Sequence, residues 1–197
     1  KEINPQKTPE GSSVQWSKCL IAWTEIINDP RWEQRNYSVI RIYDCNTSKV
    51  RSITSKSRYF APSFSPDGLS LAAVSVDPTN QSSIVILDAK SGLENAVVVA
   101  SDSDFYMTPS WSEDGTRLVF ESFRDGNFEI YMVNADGSAP TRLTNDPSGD
   151  SSPVWSPIAD EIAFVSNRFG NSDIFLLTPN GSVSTLTTNS APDSAPA

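Results

Sequence analysis

Two short segments repeat one arrangement of charged side chains: Arg124 with Glu129, and Arg168 with Asp173, each pair spanning a glycine-containing turn. An arginine facing a carboxylate across a hairpin either fixes the turn or forms an electrostatic rim for a ligand. Because the pair recurs, the structural role is expected; a catalytic constellation would occur once. A different chemistry is offered by Arg31, Trp32 and Arg35, which share one long segment, Ile26 to Asn36. Trp and Arg dominate binding hot spots, so these three are the candidate binding residues, against the alternative of a loop folded back on its own strands. Asp-rich runs at 101–104 and 146–150 offer oxygen donors. Neither has the Asp-x-Asp-x-Asp-Gly spacing of a calcium loop, so solvated loops are expected, with no metal site and no cofactor. The chain contains no His, which removes Ser-His-Asp catalysis, Cys-His catalysis and His-bound metal chemistry. No catalytic residue is assigned, and no enzymatic activity is expected of these residues.

The elements that position these groups must come from a chain of 197 residues with 15 Lys and Arg against 24 Asp and Glu, a net charge of −9. Nucleic acid is not an expected partner, because phosphate binding needs clustered cations. No apolar run approaches the roughly 18 residues of a membrane span; the longest, Ala96 to Ala100, is bracketed by polar residues. A hydrophobic content of 38 % suits a packed core. Residues 1–11 are polar with two prolines and read as a linker, without the basic start and apolar core of a signal peptide.

The rest is built from four copies of one unit. Thr108-Pro109-Ser110-Trp111-Ser112 returns as Ser152-Pro153-Val154-Trp155-Ser156, 44 residues later. Ala61-Pro62-Ser63-Phe64-Ser65 precedes it by 47, and Ser13-Val14-Gln15-Trp16-Ser17 by a further 48. Asp-Gly turns follow in Ser65-Pro66-Asp67-Gly68 and Ser112-Glu113-Asp114-Gly115, then an apolar strand, a loop, a second strand, another turn and a short strand. The recurring aromatics Trp16, Phe64, Trp111 and Trp155 are expected to pack between neighbouring units rather than to form a stacking platform. No stretch shows sustained helical periodicity. Four strands per unit at this period indicate an all-β fold, a β-propeller of four four-stranded antiparallel blades of 44–48 residues. The blades are expected at about 12–56, 57–104, 105–148 and 149–188, with 189–197 a lead-in to a further blade.

The pattern Ser-Pro-x-Trp-Ser-Pro-Asp-Gly, the apolar strand, Ser-x-Arg-x-Gly-Asn-x-Asp/Glu-Ile-Tyr/Phe and the closing Leu-Thr resemble the repeat of TolB-like β-propellers, distant relatives of the WD repeats. The resemblance runs from about Ser57 to Thr188 and is weaker from Ser12 to Thr54, where the first Asp-Gly turn is missing. Copy four has Ile158-Ala159-Asp160 in its place. The resemblance implies an extracytoplasmic, periplasmic propeller that binds a protein or peptide, and a ring larger than four blades, of six or seven. Part of a larger ring would leave apolar faces on its end blades, so self-association is an expected outcome.

Both cysteines, Cys19 and Cys45, lie in the first copy, one opening its second strand and the other following its third. Antiparallel pairing brings those ends together, so a disulfide is expected in place of the missing turn; two free thiols are the alternative. The leading functional reading is a non-catalytic binding scaffold. The competing one is the propeller part of a multidomain hydrolase, such as a prolyl-oligopeptidase-like peptidase, whose Gly-x-Ser-x-Gly motif does not occur in these residues.

Overall fold

The computed structural model describes residues 15–17, 19–28, 36–55, 57–101, 104–124, 126–188, 190–194 and 196, with only the backbone at 15–17, 28 and 36. Segment 1–11 and the candidate residues Arg31, Trp32 and Arg35 lie outside the described residues. Sixteen strands form four antiparallel sheets, and among the described residues there is no helix. The first sheet holds β1 (Gln15–Ser17), β2 (Leu20–Asn28), β3 (Asn36–Asp44) and β4 (Lys49–Ser52). The second holds β5 (Tyr59–Phe64), β6 (Ser70–Val76), β7 (Ser82–Asp88) and β8 (Glu94–Ala100). The third holds β9 (Phe105–Trp111), β10 (Arg117–Arg124), β11 (Asn127–Asn134) and β12 (Thr141–Arg142). The fourth holds β13 (Asp150–Trp155), β14 (Ile162–Ser166), β15 (Asp173–Leu177) and β16 (Val183–Thr185). Within each sheet every strand pairs with its neighbours in sequence. These are the four four-stranded sheets of a propeller, as the repeats imply.

Each sheet is apolar on both faces, which is why its central strands read as apolar runs rather than as an alternation. Ala22, Ile40 and Ile42 on the leading face of the first sheet meet Leu71, Ala73, Val85 and Leu87 on the trailing face of the second. Ala72, Ile84 and Ile86 then meet Leu118, Phe120, Tyr131 and Val133. Val119, Ile130 and partly buried Met132 meet Ile162, Phe164, Phe175 and Leu177. Burying one such side chain is worth about 1.5–3 kcal/mol, against about 0–1 for an exposed ion pair, so these three layers dominate the stability. The recurring aromatics pack as expected where their side chains are described. Phe64 and Trp155 are buried, and Trp111 Nε1 donates to Ser63 O of the preceding sheet at 3.1 Å. The closing Ile-Thr or Leu-Thr of the first, third and fourth copies has its own reason. Thr54, Thr144 and Thr187 place a hydroxyl where it accepts from Ile40, Ile130 and Ile174 N, at 2.8, 2.9 and 2.9 Å.

The Asp-Gly turns work by a repeated hydrogen-bond pattern. Ser112 Oγ donates to Asp114 Oδ1 at 2.6 Å, Thr116 N donates to the same oxygen at 2.9 Å, and Gly115 takes φ +68°. The hydrogen bonds from Ser112 and Thr116 hold the Asp114 carboxyl down at about 2. Ser65, Asp67 and Leu69 repeat the pattern. In the first sheet Cys19 itself adopts the left-handed conformation, φ +68°, and is disulfide-bonded to Cys45 with their Cα atoms 5.4 Å apart. The expected insertion from Ile26 to Asn36 is shorter than the sequence suggests. Ile26, Ile27, Asn28 and Asn36 continue the β2–β3 ladder, because β-branched residues extend the pleat.

Two consequences can be measured. A Cβ on Gly92, at φ +72°, would lie 1.8 Å from Ile53 O. Gly92→Ala is therefore expected to cost more than about 1–2 kcal/mol in urea unfolding. Gly126→Ala, at φ +99° with nothing within 4 Å, bears only the backbone term. Replacing both Cys19 and Cys45 by Ser opens a loop of sequence separation 26 and is expected to lower stability by about 3 kcal/mol by the same measurement.

Candidate binding site

An antiparallel meander sends its connections alternately to two ends. One end carries the Asp-Gly turns and the third-to-fourth-strand turns. The other carries the second-to-third-strand hairpins and the links between sheets. Asn28 pairs with Asn36 at the foot of the β2–β3 connection, whose residues 29–35, Arg31, Trp32 and Arg35 among them, lie outside the described residues. That foot adjoins the next sheet: Ser38 N donates to Ser57 O at 2.8 Å, and Ser57 Oγ returns a bond to Ser38 O at 2.8 Å.

The repeated arginines and acids lie at this end but are paired differently from expectation. Glu129, with a side chain 2 % exposed, accepts from Arg142 Nη2 at 2.9 Å, Asn127 Nδ2 at 3.1 Å and Asp146 N at 3.0 Å. Arg124 Nε lies 3.7 Å from Asp104. Arg168 reaches fully buried Asp150 at 2.8 Å and stacks 4.8 Å from the Phe175 ring centroid, while Asp173 takes Asn171 Nδ2 at 3.3 Å. Burial pushes the Asp150 carboxyl up, opposed by hydrogen bonds from Ser166 and Arg168. The hairpins thus use their charges to tie down the links between sheets, which is a structural role. Asp146 and Asp150 of the acidic run are engaged in the same network: Asp146 Oδ1 accepts from Ser148 N at 2.9 Å.

The free surface is elsewhere. Between β5 and β9, the edge strands of the second and third sheets, lies an apolar groove of about 370 Å³. Phe60, Val74 and Val76 wall one side, Phe105, Tyr106 and Met107 the other, and Arg58 and Asn80 stand at its mouth. Phe105 and Met107 are 43 % and 38 % exposed. Two backbone irregularities shape the floor. Ala61 and Thr108 take φ +47° and +45° directly before Pro62 and Pro109, where the ladders to β6 and β10 shift register. A residue before proline ordinarily stays extended, so the conformation is strained, and such strain is characteristic of ligand clamps. Ser152, at φ +52° before Pro153, repeats the device in the fourth sheet.

The next cleft shows what fills the equivalent space. Glu121 occupies in β10 the position of Val74 in β6, opposite Ile130 as Val74 is opposite Ile84. Its buried carboxylate accepts from Ser152 N at 3.1 Å, so this cleft is closed by a side chain of the protein. Burial pushes the Glu121 carboxyl above the ordinary range, with the Ser152 amide acting in the opposite direction. A raised carboxyl contributes stability that is complete below its unfolded value and is lost as pH rises through its folded value. Glu121→Gln keeps an oxygen for Ser152 N and is expected to match the parent near pH 4. It should exceed the parent at pH 8, read as a higher urea midpoint.

The fold has relatives of known structure. TolB from Acinetobacter baumannii superposes with a TM-score of 0.71 at 24 % identity, over 92 % of this chain and 44 % of that one. The putative TolB from Agrobacterium tumefaciens gives a TM-score of 0.76 at 21 % identity, over 92 % of this chain and 63 % of that one. The acylaminoacyl peptidase of Pyrococcus horikoshii gives 0.62 at 16 % identity, over 90 % of this chain and 32 % of that one. The chain thus spans less than two thirds of each of these proteins, and the likeness speaks to fold. Residues 22–197 match the family described as the TolB beta propeller domain, and with nearly the whole chain inside that match it belongs to this family.

Proposed function

We propose that this chain is a non-catalytic, extracytoplasmic propeller that docks a segment of a partner protein at the end bearing the groove and the β2–β3 connection. The observation that carries the reading is the groove itself: an apolar cleft between two edge strands, with Phe105 and Met107 left half-exposed beside it. Apolar side chains held at a rigid cleft favour an interface. The charged pairs at this end are satisfied within the fold, which leaves the groove and the hairpin to make contacts. Arg31, Trp32 and Arg35, between β2 and β3 in sequence, are the residue types of a binding hot spot. A disulfide suits an oxidising compartment, in keeping with a periplasmic location.

The leading face of the fourth sheet bears on a second kind of contact. Ala163, Ile174 and Leu176 repeat there the register of Ala72, Ile84 and Ile86. A further sheet or a second copy of the chain would pack against it. A role as the propeller part of a hydrolase draws on the peptidase likeness, which is one of fold.

Site-specific photocrosslinking tests the docking end. With p-benzoylphenylalanine at Phe105, a discrete adduct with another protein is expected in cells. At Leu93, exposed at the opposite end, none is expected. Adducts from Leu93 alone would assign the binding to the wrong end.

A further inference from the structure

We infer that the groove between the second and third sheets recognises an extended peptide carrying a large apolar side chain next to a carboxylate, the apolar group entering the groove and the carboxylate binding Arg58. This rests on the reading that the groove end docks a protein, and adds the chemistry of what it docks.

Charge is the first argument. Arg58 is the one ionised side chain lining the groove. Its Nη1 is held by two neutral acceptors, Asp77 O at 2.9 Å and Asn80 Oδ1 at 3.0 Å. Arg41, Arg117, Arg124, Arg142 and Arg168 each have a carboxylate within 4.0 Å; among the described residues Arg51 and Arg58 have none. Arg51 is taken up by Lys90 O and Ala89 O, while the Asp77 carboxyl, held down by Thr79 and in part by Arg58, stands beyond ion-pair distance from Arg58. A guanidinium oriented through one nitrogen, with no hydrogen bond from its Nε or Nη2 among the described residues, is set for a carboxylate.

Comparison of successive clefts is the second argument. Where the third and fourth sheets meet, Glu121 fills the space and meets the Ser152 amide. Where the second and third meet, Val74 stands in its place and the cleft stays open. The molecule supplies an acid in one cleft; in the other it supplies a cation and room. At about 370 Å³ the groove is at the small end of the roughly 300–1,000 Å³ typical of ligand clefts, so it takes a side chain or two rather than a folded element. A peptide is favoured over a free amphiphile because β5 and β9 are the edges of their sheets and offer backbone groups to an extended chain.

Fluorescence anisotropy with two fluorescein-labelled peptides, Ser-Gly-Ser-Leu-Phe-Glu-Ser and the same sequence with Gln for Glu, reads both features. The Glu peptide is expected to bind about tenfold or more tightly than the Gln peptide. Arg58→Gln should bring that ratio close to one, and Arg58→Lys should retain part of it. Phe105→Asp should weaken both peptides about fivefold or more. Leu93→Asp, at the far end, should change neither. Unchanged thermal midpoints identify folded variants. Equal affinities in the parent, a ratio that survives Arg58→Gln, no binding of either peptide at 1 mM, or displacement by dodecanoate with no peptide binding would each overturn the inference. Crosslinks at Phe105 combined with equal peptide affinities would remove this chemistry and leave the docking reading intact. A peptide preference without crosslinks would do the reverse.

Discussion

The structure depends on one contact made three times: the apolar leading face of a sheet against the apolar trailing face of the next. The leading faces carry Ala22, Ile40 and Ile42, then Ala72, Ile84 and Ile86, then Val119, Ile130 and Met132. The facing surfaces carry Leu71 and Leu87, then Phe120 and Tyr131, then Phe164 and Phe175. Apolar side chains from both faces interdigitate in each layer, and the apolar area buried outweighs every ion pair in the molecule. With the sheets so fixed, hairpins and links at either end need only local hydrogen bonds to hold their places.

That division of labour shapes the groove. Interior packing tolerates a carboxylate at Glu121 because the strained Ser152 amide meets it. The same position holds Val74 one sheet earlier, and there the bulges at Ala61 and Thr108 shape a cleft without a side chain to close it. Strain before a proline is maintained here because the ladder on both sides of each bulge is paired: Phe60 with Val74 and Ser63 with Ala72 in the second sheet.

The repeats, the strand order and the family pattern were legible in the sequence because they rest on local signals. Asp-Gly turns, apolar runs and the aromatic at each first strand are all set within a few residues. The extent of the β2–β3 ladder was harder to read, since Ile26 and Ile27 adjoin a polar loop and pairing continues past the point where the apolar pattern stops. The partners of Glu129 and Arg168 were misread, because Arg142 reaches Glu129 from the neighbouring strand β12, and Asp150 reaches Arg168 from β13, rather than across the hairpin. The groove left its trace only in a comparison of copies. Ala61-Pro62, Thr108-Pro109 and Ser152-Pro153 mark the bulges, and Val74 against Glu121 marks which cleft is open. Neither signal names a chemistry by itself, as valine and alanine are ordinary core residues.

Faces of two kinds, always joined in the same sense, give the stack a polarity. Each copy meets the next in the same sense, so a gene that duplicated one unit would lengthen the arc by one wedge of the same polarity. The order of the wedges is then written in the short covalent links alone. Cleaving or lengthening a link such as 53–58 would leave each junction indifferent to whether its partner came from the same polypeptide or from a neighbouring one.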